Sequence, residues 1–141
     1  MNAKNSTTTH WNFWLVSVIA LIWNVLGIVN FFVQMDPAVI AHYRESERVI
    51  VAGRPVWATA GFAVAVFGGA FGSLFLLLKN QVSYYLFVAS LVGVMVTMIH
   101  SLGVGVDFSA GEILGIILMP MLVALFLIWY VKFAEHKGWI S

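Results

Sequence analysis

Four long apolar runs, separated by short polar stretches, set the plan of this chain. They cover about residues 11–33, 55–78, 82–104 and 111–133. Each is long enough to cross a hydrocarbon core of about 30 Å as a single helix. The first run continues to Val33 without a small-x-small cleavage pattern after a short core, so it reads as an uncleaved span. Residues 1–10 are polar and form a short tail. The predicted fold is an all-α integral membrane protein, a four-transmembrane-helix bundle making one transmembrane domain over residues 1–141.

The polar stretches place the remaining elements. Between the first two spans, Asp36-Pro37 is a helix start, with Asp as N-cap and Pro at the first helical position. Val39, Ile40 and Tyr43 then recur at spacings of three and four. These features predict a short amphipathic interfacial helix over about residues 37–48, lying on the membrane surface, with Gly53-Arg54-Pro55 as the breaker before the second span. Lys79-Asn80-Gln81 is too short for anything but a hairpin between spans two and three. Ser109 and Glu112 fit a capping box at the start of span four. Pro120, inside that span, deletes a bond to the Ile116 carbonyl and predicts a kink.

Small residues recur every four positions in two spans. Gly61, Ala65, Gly69 and Ser73 form a stripe in span two, and Ala89, Gly93, Thr97 and Ser101 repeat it in span three. Small residues at that spacing let helices approach backbone to backbone in lipid. Spans two and three are therefore predicted to be the tightest pair. In span one, Ser17, Asn24 and Gln34 fall with Gly27 on one face, which is predicted to turn inward because an amide facing lipid lacks partners.

Composition agrees with the hydropathy pattern: 62% of residues are hydrophobic and 9% charged, against about 25% charged in a soluble domain. The lipid bilayer is the first partner this implies. A net charge of +1 gives no basis for nucleic-acid binding. The absence of cysteine excludes disulfides, thiolate metal sites and thiol nucleophiles. Trp11, Trp14, Trp57, Tyr84, Tyr85, Trp129 and Tyr130 sit near span ends, as an aromatic belt would. An even number of spans puts both tails on one side. Lys4, Lys79, Lys132 and Lys137 on that side against Arg44, Arg48 and Arg54 on the other bias the termini toward the cytoplasm.

Two clusters carry candidate chemistry. Trp23 and Asn24 with Gly27 put an indole donor, an amide and an open backbone at mid-span. They suit a polar head group or a sugar-like solute, or else an ordinary interhelical hydrogen bond. His100 with Thr97, Ser90, Asp107 and Glu112 forms the second cluster, on span three and the start of span four. An ionisable residue inside a span is a functional candidate, and histidine titrates near neutral pH. Here too the alternative is structural, a histidine capped by Glu112 or by a backbone carbonyl. His42, His100, Asp107 and Glu112 show no ligand spacing on one helix, so neither metal nor cofactor is predicted. No nucleophile–base set, phosphate loop or His-Glu-x-x-His helix is present, so the chain does not read as an enzyme.

Trp23-Asn24-x-x-Gly27, then Arg54-Pro55-Val56-Trp57-Ala58 leading into residues 65–74, and Ser90-Leu91 resemble a family of small four-span bacterial inner-membrane proteins that carry the label sugar transporter. The resemblance covers most of the chain. It implies a multi-pass inner-membrane protein and a solute transporter. Four helices leave little room for a polar pathway within one chain, so a transporter of this size is expected to act as a homo-oligomer, with Asn24 and His100 as the residues expected to line the pathway. The other reading is a non-catalytic accessory or structural subunit, or a lipid-binding component, of a larger membrane complex.

Overall fold

The computed structural model describes residues 9–104 and 109–141; Lys4 and Asp107 lie outside them. Four helices are long and apolar enough to cross a membrane: Trp11–Val33, Val56–Leu77, Val82–Gly103 and Ala110–His136. The protein is a multi-pass membrane protein built as an all-α four-helix bundle. In chain order the elements are α1 (Trp11–Val33), α2 (Pro37–Ile40), α3 (Glu45–Ala52), α4 (Val56–Leu77), α5 (Val82–Gly103), α6 (Ala110–Glu112), a π-helical stretch (Ile113–Leu118) and α7 (Met119–His136). The large apolar side chains left exposed, such as Ile19, Leu26, Phe71, Val92, Ile99 and Leu122, cover the outside of the four spans and are the lipid-facing surface.

The α4–α5 hairpin is the most extensive packing, α1 lies along α4, and α7 lies along α5. The spans thus follow one another in an arc, α1–α4–α5–α7. Glycines set the α4–α5 separation. A Cβ on Gly93 would stand 2.5 Å from Ala65 N and Gly61 O, and one on Gly61 would stand 2.5 Å from Val96 Cγ1. The close approach lets the Ser90 hydroxyl donate to the Ala65 carbonyl at 2.6 Å.

The two small-residue stripes are not used as the four-residue period predicts. An α-helix turns about 100° per residue, so a step of four overshoots a full turn by about 40°. Over Gly61, Ala65, Gly69 and Ser73 the stripe drifts round the helix and changes partners. Gly61 and Ala65 meet α5, while Gly69 backs onto the Asn24 side chain of α1 and Ser73 Oγ lies 3.5 Å from Asn24 Nδ2. Gly68 and Gly72 carry the α5 contact onward, against Ser90 and Phe87. On α5 the same drift leaves Ala89 exposed, outside the seam. The buried line there is Ser83, Phe87, Ser90, Gly93, Val94, His100 and Ser101, whose spacings of three, four and seven keep to one face.

The interfacial segment is two helices rather than one. Asp36 caps α2 as predicted, its side chain accepting from Ala38 N at 3.0 Å, but α2 ends at Ile40. Arg44 is extended (φ −60°, ψ 154°) and starts α3, with Glu45 and Glu47 in its first turn. Two acidic residues there suit the positive end of the helix dipole. The break falls at residues 41–44, where the chain leaves the helix and Arg44 turns extended to cap α3.

Pro120 acts through a wide turn. Lacking an N–H, it cannot bond to Ile116, and the preceding residues relax to π-helical spacing, with Met119 N–H donating to Leu114 O five residues back. The helix then continues to His136, three residues past the predicted end. The Ser109–Glu112 capping box forms in both directions, Glu112 N to Ser109 Oγ at 3.2 Å and Ser109 N to Glu112 Oε1 at 3.1 Å.

The end of the bundle near residues 10, 80 and 137 is closed. Phe13, Leu76, Phe87, Tyr130, Val131, Ala134 and Ile140 form one core there, with Trp139 and Phe133 against it. Both helices that end here finish in the same hydrogen-bond pattern. Asn80 N bonds to Phe75 O and Lys79 N to Leu76 O; Trp139 N bonds to Ala134 O and Gly138 N to Glu135 O. This is the Schellman motif, which needs a left-handed residue at its fifth position. Gly138 supplies it with φ 79°, and Lys79 with φ 61°. Lys79 accepts a conformation that favours glycine, and its ammonium gains a bond to Thr9 Oγ1 at 2.6 Å and the face of Trp14 at 5.3 Å. Ser141 then pairs with the hairpin turn, its N donating to Lys79 O and its O accepting from Gln81 N, both at 3.1 Å.

Candidate functional site

At the opposite end the arc of helices stays open and surrounds a cavity of about 480 Å³. Its walls come from α1, α3, α4, α5, the π-helical stretch and α7. Phe62, Val66, Phe87, Val94, Ala124 and Leu127 give it an apolar body, and Asn30, Gln34, Tyr43, Glu47, Arg54 and Ser101 bring polar groups to it. From Trp23 to Gln34 the lining follows α1 for about 16 Å at 1.5 Å per residue, so the cavity reaches well into the membrane. Its size falls within the range of small-molecule sites, roughly 300–1,000 Å³.

Helix α3 and the residues around it cover the mouth, held to three different parts of the bundle. The His100 Nε2 on α5 lies 3.1 Å from the Ile50 carbonyl. A carbonyl only accepts, so Nε2 carries the proton and Nδ1 is the ring's remaining nitrogen. Ser46 Oγ donates to Glu112 Oε2 at the start of span four. Arg54 donates from Nη2 to Gln34 Oε1 at the end of α1. Trp57 packs edge-on to the His100 ring, with centroids 5.8 Å apart.

The predicted site residues divide between these roles. Trp23, Asn24, Ser90, Thr97 and His100 all line the one cavity. Their polar groups are largely engaged elsewhere. Asn24 Nδ2 donates to Ala20 O at 2.9 Å and approaches Ser73 Oγ, Ser90 Oγ donates to Ala65 O, and Thr97 Oγ1 donates to Val94 O at 2.8 Å. Asn24 is the clamp between α1 and α4, with its amide fitted against Gly69. Trp23 lines the cavity and is half-exposed. Glu112 stands outside the cavity lining, held by Ser46 and by its own capping box. His100 and Glu112 therefore have separate partners, and of the two structural alternatives for His100 it is the backbone carbonyl, not Glu112, that caps it. Asp107 lies outside the described residues. No cluster of three metal-ligating side chains occurs among those described.

Arg54 is the functional candidate that sequence reasoning passed over. Flanked by Gly53 and Pro55, it read as part of a helix breaker. In the fold it is half-buried at the mouth, its guanidinium 4.9 Å from the centroid of the Phe62 ring. Burial lowers its pKa from the usual arginine value, with Tyr43 opposing the shift. The sequence did hold one signal: a single base immediately before a charge-free span of 22 residues. Comparison with protein-family models, with curated proteins and with solved structures gave no match.

Proposed function

We propose that this protein binds one small amphipathic molecule in the loop-end cavity, with an apolar body in the membrane and a polar end under α3. The observation that carries this reading is the cavity itself, a mostly apolar chamber with polar groups gathered at its covered mouth. A sugar-like solute, as the resemblance to the small four-span transporters implies, needs hydrogen-bonding groups around its whole surface. Asn24, Ser90 and Thr97, polar groups of the membrane-spanning part of the lining, already donate to backbone carbonyls at Ala20, Ala65 and Val94. The chemistry of the lining thus favours an amphiphile. Residence in a bacterial inner membrane with cytoplasmic termini belongs to the same proposal, supported by the basic bias of the terminal side. Transport, and assembly as an oligomer, would be built on this binding step.

The test is native mass measurement of protein extracted in a gentle uncharged detergent, beside equilibrium binding of a sugar panel. The expected result is a retained amphiphile at one per chain and no saturable sugar binding. Gly115→Phe fills the cavity from a position where an added Cβ meets nothing within 4 Å, and it should fold and lose the amphiphile. Saturable binding of a sugar, or a parent protein carrying nothing and accepting no added amphiphile, would overturn the reading.

A further inference from the structure

We infer that the molecule held in the cavity is anionic at its polar end, a carboxylate or phosphate on an apolar chain, with Arg54 as the group that recognises it. The inference rests on the cavity-binding reading above and adds the charge of the ligand.

Arg54 has an uncommon set of neighbours. Among the described residues the ion pairs are Arg44–Glu47 at 3.2 Å and Lys132–Glu135 at 3.3 Å, and Arg54 is in neither. Its partners among the described residues are neutral, the Gln34 amide oxygen and the Phe62 ring. A guanidinium has five N–H donors in a planar fork, and the Gln34 bond uses one of them. A half-buried cation with neutral partners is costly unless an anion completes it. Among the described residues the one carboxylate in the cavity wall is Glu47, and it is already matched by Arg44. The fork geometry of arginine suits the two oxygens of a carboxylate or phosphate.

The surroundings add an apolar chain to that anion. Arg54 lies just before Val56, where α4 begins its crossing, so its guanidinium sits at the level where lipid head groups meet hydrocarbon. Phe62, which holds the guanidinium by its face, and Val66 one turn deeper line the same chamber. A molecule with its anion on Arg54 therefore lays its chain along Phe62 and Val66 toward Val94 and Leu127. Tyr43, whose hydroxyl donates to Asn30 Oδ1 at 3.4 Å, stands at the same mouth and is the second polar group available to the head.

The test uses the full chain in dodecyl maltoside, titrated separately with laurate, dodecyl phosphate, dodecanol, acetate and inorganic phosphate. Complexes are counted by native mass measurement. Laurate and dodecyl phosphate should bind one per chain and roughly tenfold to a hundredfold tighter than dodecanol, the range for a hydrogen bond to a charged group. Arg54→Gln should bring both anions down to the level of dodecanol. Arg54→Lys, which keeps the charge and loses the fork, should fall between. An unchanged helical circular-dichroism spectrum and elution volume are the controls that the variants fold. Equal binding of anions and alcohol in the parent would overturn the anionic assignment while leaving the cavity-binding reading intact. Acetate or inorganic phosphate binding as tightly as the long-chain probes would assign the site to a free anion and overturn the amphiphile. If none of the three long-chain probes binds, the cavity-binding reading fails with it.

Discussion

Phe13 and His100 are both buried, and each marks one end of the same bundle. Around Phe13 the helices are wedged shut: its ring stacks with Tyr130, with centroids 6.4 Å apart, and meets Trp139 edge-on at 6.0 Å, while the last residues of the chain fold back onto the α4–α5 turn. Around His100 the same helices stand apart, and the space between them is a cavity roofed by a short helix tied on by single hydrogen bonds. The difference comes from side-chain size and from chain geometry. Aromatic residues crowd the terminal end. At the loop end, Gly115 and Ala124 are too small to fill the space, and the π-helical turn before Pro120 interrupts the regular course of span four beside it. One end supplies stability, and the other is left for a ligand.

The largest effect separating the two ends should come from truncating their buried apolar residues. Phe13→Ala removes a ring that is fully enclosed and should cost about 3–5 kcal/mol, the range for a large aromatic in a packed core. Val94→Ala enlarges a cavity that already exists and should cost about 1 kcal/mol or less. Unfolding in mixed micelles with a denaturing detergent measures both; similar costs would mean the loop end is packed as firmly as the other.

Next comes a pair of single methyl groups. Gly93→Ala places a Cβ 2.5 Å from the backbone of Ala65 and Gly61, so the helices must separate. About 1–3 kcal/mol is expected, as for other overpacked sites. Gly115→Ala meets nothing within 4 Å and should be neutral or stabilise by up to about 1 kcal/mol through helix propensity. The same unfolding assay ranks them, and equal effects would show that the α4–α5 seam is looser than its glycines imply.

Smaller effects sharpen the comparison. Gly138→Ala forces a side chain into the left-handed region at φ 79° and should cost about 1 kcal/mol at the closed end. Ser90→Ala removes the bond to Ala65 O and should cost about 0.6 kcal/mol, the typical value for such bonds between spans. Ser83 is just as buried, but its hydroxyl has no hydrogen-bond partner among the described residues. Ser83→Ala should therefore be neutral or slightly stabilising, and melting curves of the two alanine variants side by side decide the order.

Much of this architecture could be read from residue order. Span limits follow from hydropathy, and the capping box, the α4–α5 hairpin and the inward face of Asn24 follow from local chemistry. What could not be read is how helix faces are shared among neighbours. Gly69 and Ala65 look equivalent in a four-residue stripe, yet the helical twist sends one to α1 and the other to α5. Ala89 fits the stripe and faces outward for the same reason. The interfacial helix was drawn too long because its break at residues 41–44 carries no Gly or Pro. The candidate site was half-legible: Asn24, Ser90, Thr97 and His100 were found as polar residues in apolar helices, and they do converge. Arg54 was missed because Gly53 and Pro55 explain it locally. Only the fold brings it, Gln34 of α1 and Phe62 of α4 to one point.

The contrast between the ends can be measured directly, because the chain has no cysteine. Ser83 is the second residue of α5 and Ser101 the third from its end, so the two lie at similar depths on opposite sides of the membrane. Both are buried, and Ser101 lines the cavity. Ser83→Cys and Ser101→Cys should differ sharply in labelling by a small membrane-permeant thiol reagent in intact membranes. Ser101→Cys should react, and added laurate should protect it. Ser83→Cys should stay unlabelled until the protein is unfolded. Equal rates at the two positions, or faster reaction at Ser83→Cys, would contradict a bundle closed at its terminal end and open at its loop end.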